Sequence, residues 1–138
     1  MLVITEISEA VEALRCGNLY GKLKCPEVIT SQLLNCFEYE IADVFIRLFD
    51  LCGYLKIESE GRIHPKSILP RNITEQLFDI TKGICLMSKN LALFKDDIFR
   101  IISDLKWFCE RNNIDIEKHI DAKMEYNKTR PKKHNKEF

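Results

Sequence analysis

Phe37-Glu38-Tyr39-Glu40-Ile41-Ala42-Asp43-Val44-Phe45-Ile46-Arg47-Leu48-Phe49-Asp50 is the stretch whose reading decides the fold. Wound as a helix at about 100° per residue, it puts Phe37, Ile41, Val44, Leu48, Cys52 and Leu55 on one side. Ala42, Phe45, Ile46 and Phe49 carry the apolar surface well past half the circumference. The arc left over is roughly 80° wide. Into it fall Glu40, Asp43, Arg47 and Asp50, spaced i, i+3, i+7 and i+10. A helix this apolar is packed on most sides, so its acidic stripe is expected to face a groove lined by other helices. Three carboxylates in a partly enclosed groove repel one another and lose hydration unless cations compensate. Arg47 offsets part of this charge, and a hard divalent metal ion would offset more.

Outward from that helix, apolar residues continue to recur at helical spacing. Residues 2 to about 16 form an amphipathic helix with Val3, Ile7, Ala10, Val11 and Leu14 on its apolar face, stopped by Gly17 as a C-cap. Residues 17–27 connect it to the acidic-stripe helix, which the pattern runs from about Glu27 to Leu55. A loop follows to Leu69, with a short extended piece at Tyr54–Ile57. Asn72 or Thr74 caps a third helix reaching to about Ser88, and Glu75 stands three residues after Asn72 at capping-box spacing. A fourth helix spans 93–111 with Phe94, Ile98, Ile101, Ile102, Leu105 and Phe108 inward, broken by Asn112-Asn113. Asp115 caps a fifth from Ile116 to about Lys128, and Pro131 ends regular structure. The expectation is an all-α bundle of about five helices, one domain over 1–130 with a basic tail over 131–138. The long helix is too apolar for five short neighbours to cover, which points to completion by a homo-oligomer, dimer or tetramer.

The totals agree and exclude several classes. A chain of 138 residues that is 46% hydrophobic can bury a real core. Lys+Arg and Asp+Glu balance at 21 each, so no global field suggests nucleic-acid binding. No apolar run approaches a membrane span, and no secretory leader pattern opens the chain, which leads to the expectation of a cytoplasmic protein. The 6 cysteines contain no C-x-x-C pair, so reduced, mostly buried thiols are expected rather than a zinc site.

Two constellations carry chemistry. Glu6-x-x-Glu9 on the first helix and Glu40-x-x-Asp43 on the second each put two carboxylates on one helical face. Packed antiparallel, two such helices can bring four carboxylates together, an oxygen set that suits Mg²⁺ retaining waters and sharing phosphate oxygens. Acidic pairs on helices are usually solvated faces, but Glu6 and Glu40 both border apolar surface, and Ala10 and Ala13 leave room beside Glu6. The second constellation is His119, Lys123, Asn127 and Arg130, spaced i, i+4, i+8 and i+11 on one wedge. Lys and Arg with an amide can hold phosphate oxygens, although a basic helix end also complements the helix dipole. The aromatic residues Tyr20, Tyr39, Tyr54, Trp107 and Phe108 read mostly as core.

Read in order, three segments resemble the MazG-like, all-α nucleoside triphosphate pyrophosphohydrolase superfamily. Glu6–Arg15 is similar to its first acidic helix, Glu38–Leu48 to its E-x-x-D helix, and Asp115–Pro131, with K-x-x-x-N-x-x-R-P, to its C-terminal segment. The resemblance implies Mg²⁺-dependent hydrolysis of a nucleoside triphosphate to the monophosphate and pyrophosphate by a homo-oligomer. It implies that Glu6, Glu9, Glu40 and Asp43 bind metal and position water. It further implies that Lys123, Asn127 and Arg130 contact phosphate. Another pyrophosphate-bearing nucleotide such as phosphoribosyl-ATP is an alternative substrate. Members of that superfamily commonly carry a helix before the first acidic one, whereas Glu6 here is preceded by five residues. The alternative from a different class is therefore a catalytically inactive oligomerisation or regulatory module.

Overall fold

The structure, a computed structural model, describes residues 2–19, 35–57, 72–87 and 89–129. Among these residues there are five α-helices and no strand: α1 (Leu2–Arg15), α2 (Phe37–Tyr54), α3 (Ile73–Cys85), α4 (Leu91–Arg111) and α5 (Ile116–Thr129). None of them is long and apolar enough to cross a membrane. Residues 20–34, which hold most of the expected first loop and the expected start of the acidic-stripe helix, residues 58–71, which hold most of the expected second loop, and Arg130 with the tail 131–138 lie outside the described residues, as does Tyr20.

Local signals set the helix ends. Three of the helices close with the same paired hydrogen bonds, in which the residue after the C-cap turns to positive φ. In α1, Gly17 (φ 72) lets Asn18 N donate to Ala13 O at 2.9 Å and Gly17 N to Leu14 O at 3.1 Å. Asn113 (φ 55) does this for α4, where Ile114 N reaches Cys109 O at 2.9 Å. Lys56 (φ 52) does it for α2, with Ile57 N on Cys52 O at 2.9 Å. The extended piece expected at Tyr54–Ile57 is thus a helix terminus, because the last carbonyls of α2 take up its backbone N–H groups. At the other end of the motif repertoire, the Asn72 side chain accepts from Glu75 N at 2.9 Å and starts α3. Asp115 Oδ1 accepts from Lys118 N at 3.3 Å at the start of α5.

The second helix begins later than its pattern suggests. Cys36 is extended (φ −88, ψ 156), so no continuous helix passes through it, and α2 starts at Phe37. The cause is tertiary: Phe37 N donates to Asn18 O at 2.9 Å, tying the start of α2 to the end of α1. Smaller differences are an α3 that stops at Cys85 and an α4 that starts two residues early.

Side-chain pairings give the helix directions. The start of α2 sits beside the end of α1, while Arg47, late in α2, pairs with Glu6, early in α1. These two helices are antiparallel. In contrast, His119 packs on Tyr39 and Lys123 pairs with Asp43, both advancing one turn in the same sense, so α5 runs parallel to α2. Helix α2 also meets α4, where Phe37 and Phe108 stack edge to face with centroids 6.1 Å apart, and α3 packs on α4 and α1. Ile41, Val44, Phe45 and Leu48 of α2 are buried, with Ile7, Ala10 and Ala13 of α1, Leu77 and Ile80 of α3, and Ile101, Leu105 and Phe108 of α4. Apolar burial of this kind drives the assembly at roughly 25 cal/mol per Å². Phe94 and Ile102 are half-buried. Val11 and Phe49, read as apolar-face residues, are exposed, and the Phe49 ring rests on Phe45 of its own helix with centroids 6.0 Å apart.

Candidate metal and phosphate site

The acidic groove forms between α1 and α2, and α5 packs on α2 beside it. Glu6 projects from the buried face of α1, flanked by Ile7 and Ala10, and is 7% exposed. Glu40 projects from the first turn of α2 and is 6% exposed. Glu9, one turn beyond Glu6, is exposed. One carboxylate oxygen from each of Glu6, Glu9 and Glu40 lies within 4.8 Å of the others. The antiparallel packing foreseen from the two acidic pairs therefore brings three of the four carboxylates together. The fourth, Asp43, is half-buried one turn along α2 and takes the Lys123 ammonium instead, Nζ to Oδ2 at 2.7 Å.

Two internal cations border these carboxylates. Arg47 Nε donates to Glu6 Oε1 at 2.9 Å. Lys123 is buried, 6% exposed, on the face of α5 that meets α2. Among the described residues, Arg47 and Lys123 pair with two of the four carboxylates, Glu6 and Asp43. The ionisation of Glu40 records the strain. Burial, reinforced by Asp43, Glu9 and Glu6 and only partly opposed by Lys123, pushes its carboxyl up to about 7. Burial also raises Asp43, against the hydrogen bond from Lys123. Arg47 is held more firmly protonated by its bond to Glu6.

The donor set fits a hard divalent cation. With Mg–O bonds of about 2.1 Å, octahedral ligand oxygens stand about 3.0 Å apart at adjacent corners and about 4.2 Å at opposite ones. Oxygens within 4.8 Å of one another need only small side-chain adjustment to reach that spacing. All three are carboxylate oxygens, the donor type such an ion takes.

A cleft of about 300 Å³ opens beside the set, lined by Glu9, Glu12, Ala13, Cys16, Asn18, Asn35 and Glu40. Glu12 is exposed and is held low, to about 2, by Arg15. Cys36 is buried, and burial pushes its thiol up to about 12. Of the five described cysteines, Cys36 and Cys109 are buried, Cys52 is half-buried, and Cys16 and Cys85 are exposed.

The basic wedge of α5 divides. His119 and Lys123 are buried against α2, His119 with its Nδ1 2.6 Å from Asp115 O and its ring on Tyr39 at 5.0 Å. Asn127, one turn beyond Lys123, is exposed. Three pairings escaped the sequence reading, Lys123 with Asp43 among them. Arg47 shares the α2 stripe with Glu40 and Asp43, but its partner on α1 depends on the antiparallel packing. The Tyr39–His119 contact depends on the parallel packing of α5. Of the aromatic set, Tyr39 and Phe108 are buried, Trp107 is half-buried under Arg111, and Tyr54 is exposed. No protein-family model, curated protein or solved structure matches this chain.

Proposed function

We propose that the chain is a MazG-like nucleotide pyrophosphohydrolase that hydrolyses a nucleoside triphosphate to the monophosphate and pyrophosphate with Mg²⁺ held by Glu6, Glu9, Glu40 and Asp43. The observation that carries this reading is the convergence of Glu6, Glu9 and Glu40 from two helices, two of them buried, with oxygens within 4.8 Å. Burying Glu40 where its ionised form is disfavoured costs stability, and a site that awaits a cation gives that cost a purpose.

Mg²⁺ in this set would neutralise phosphate oxygens and acidify a bound water. The chain's own groups do the rest. Carboxylate oxygens left outside the coordination sphere accept hydrogen bonds from the attacking water and aim it at the α-phosphorus. The water oxygen bonds to the α-phosphorus and passes its proton to a carboxylate as the bond to the α–β bridging oxygen breaks, and pyrophosphate leaves. Lys123, beside the acidic set, supplies positive charge to the phosphate chain, and Asn127, on the open turn of α5, offers an amide donor. Arg130 continues the same wedge in sequence. Positioning and charge neutralisation supply most of the rate. The exposed side chains of Phe49, Tyr54, Phe78, Leu86 and Leu93 support a homo-oligomer, and the buried thiols of Cys36 and Cys109 suit a cytoplasmic location.

The test is pyrophosphate release from a panel of canonical and modified nucleoside triphosphates, with phosphoribosyl-ATP included, in the presence of Mg²⁺. Release that disappears in Glu40→Gln supports the proposal. No turnover on any member, with Mg²⁺ binding unchanged by Glu40→Gln, refutes it.

One observation favours a second reading. Arg47 and Lys123 already pair with Glu6 and Asp43, so the groove is partly neutralised from within. On that reading the charges fix the helix register of an inactive oligomerisation or regulatory module. Thermal shift separates the two. A working site gains stability from Mg²⁺ plus a non-hydrolysable nucleotide, and a scaffold does not.

A further inference from the structure

The groove's two internal cations engage it differently. Arg47 gives Glu6 a hydrogen bond from Nε to Oε1, and Glu6 still belongs to the converging set of three. A carboxylate has two oxygens, so Glu6 can keep Arg47 and offer the other oxygen to the groove. Asp43 stands one turn from Glu40 on the same stripe, yet it is outside that set. Its Oδ2 is 2.7 Å from Lys123 Nζ, and the two side chains are 17% and 8% exposed. Lys123 is therefore sheltered with its counterion, while the Arg47 side chain remains 41% exposed.

The chemistry of lysine makes this pairing exchangeable. Its ammonium is a compact charge on a flexible four-carbon stem, without the rigid two-pronged geometry that fixes arginine on a carboxylate. A divalent ion among Glu6, Glu9 and Glu40 would repel the ammonium and attract Asp43. Both effects act on the same pair and in the same direction.

We propose that Lys123 is a resident counter-cation of Asp43, which holds Asp43 apart from Glu6, Glu9 and Glu40 and is released when a divalent cation binds and Asp43 turns to join them. The inference rests on the divalent-cation reading of the groove given above. Its consequence is regulatory. Cation uptake frees a buried ammonium for an anion, so binding of metal and of a phosphate chain are positively coupled through one side chain. Lys123 acts here as a positioning residue for Asp43.

The test is calorimetric titration of the full chain with Mg²⁺ at fixed ionic strength, using wild type, Lys123→Met, Lys123→Arg, Asp43→Asn and the double variant Asp43→Asn/Lys123→Met. The expected results are tighter Mg²⁺ binding by about five- to tenfold in Lys123→Met, weaker binding in Lys123→Arg, whose guanidinium holds Asp43 more firmly, and weaker binding in Asp43→Asn. In the Asp43→Asn background, Lys123→Met should give no further gain, because the block acts through Asp43. A second measurement needs no variant fold: the ¹H–¹⁵N ammonium signal of Lys123 in the wild-type chain should shift or vanish as Mg²⁺ is added. If Mg²⁺ binds but the gain is equal in both backgrounds or absent, or the ammonium signal stays in place, the exchange is refuted and the metal reading survives. If wild type binds no Mg²⁺ at millimolar concentration, both are refuted.

Discussion

Replacing Glu40 by Gln should make the metal-free protein more stable at alkaline pH while abolishing its response to Mg²⁺. Glu40 is buried among Glu6, Glu9 and Asp43, and its carboxyl is pushed from the ordinary value of 4.5 to about 7. The folded state thus holds this proton more tightly than the unfolded chain does. Stability from this group is fully present below the unfolded value near 4.5 and is lost as pH rises through about 7. At about 1.4 kcal/mol per tenfold change in proton affinity, the complete loss is at most about 3 kcal/mol. Water entering from the adjoining cleft reduces it, so a gain of roughly 1–2 kcal/mol is expected for Glu40→Gln at pH 8, with almost none near pH 4.5. That gain corresponds to a melting temperature higher by roughly 3–8 °C. The assay is urea or thermal unfolding of both proteins in a chelator at the two pH values, then at pH 8 with Mg²⁺. With Mg²⁺ the wild type should rise and Glu40→Gln should not. A Glu40→Gln protein that is less stable than wild type at pH 8, or whose difference from wild type is the same at both pH values, would refute the reasoning.

The remaining predictions concern the frame around the groove. Arg47→Met should destabilise by about 1–2 kcal/mol in urea unfolding, because buried Glu6 loses its ion pair while Arg47 itself is partly solvated. Phe45→Ala, which empties a fully buried position at the centre of α2, should cost about 3–5 kcal/mol by the same measurement. Asn72→Ala should cost about 1 kcal/mol through the lost cap on Glu75 N, and Asn72→Ser should restore most of it.

What was legible in the sequence follows from which forces are local. Helical periodicity located five helices, and Gly17, Asn72, Asn112-Asn113 and Asp115 marked ends that the backbone hydrogen bonds honour. The apolar margins beside Glu6 and Glu40 already indicated that these carboxylates are sheltered, and both are buried. The late start of α2 was not legible, because Phe37 N is claimed by Asn18 O across a long separation in sequence. Nor was the cation on Asp43. Spacing groups Glu40 with Asp43 as equals, but parallel packing of α5 sets Lys123 against Asp43 and leaves Glu40 to Glu6 and Glu9. The basic wedge of α5 failed as a unit for a similar reason: α2 covers His119 and Lys123, while Asn127, a turn further on, is exposed.

The claim at the centre of this account is that Glu6, Glu9 and Glu40 hold a divalent cation. Anomalous diffraction from crystals grown with Mn²⁺ tests it most directly. The account predicts one strong anomalous peak among those three carboxylates, lost in Glu40→Gln. A chain that shows no peak there at millimolar Mn²⁺, with Arg47 still on Glu6 and Lys123 still on Asp43, would contradict it.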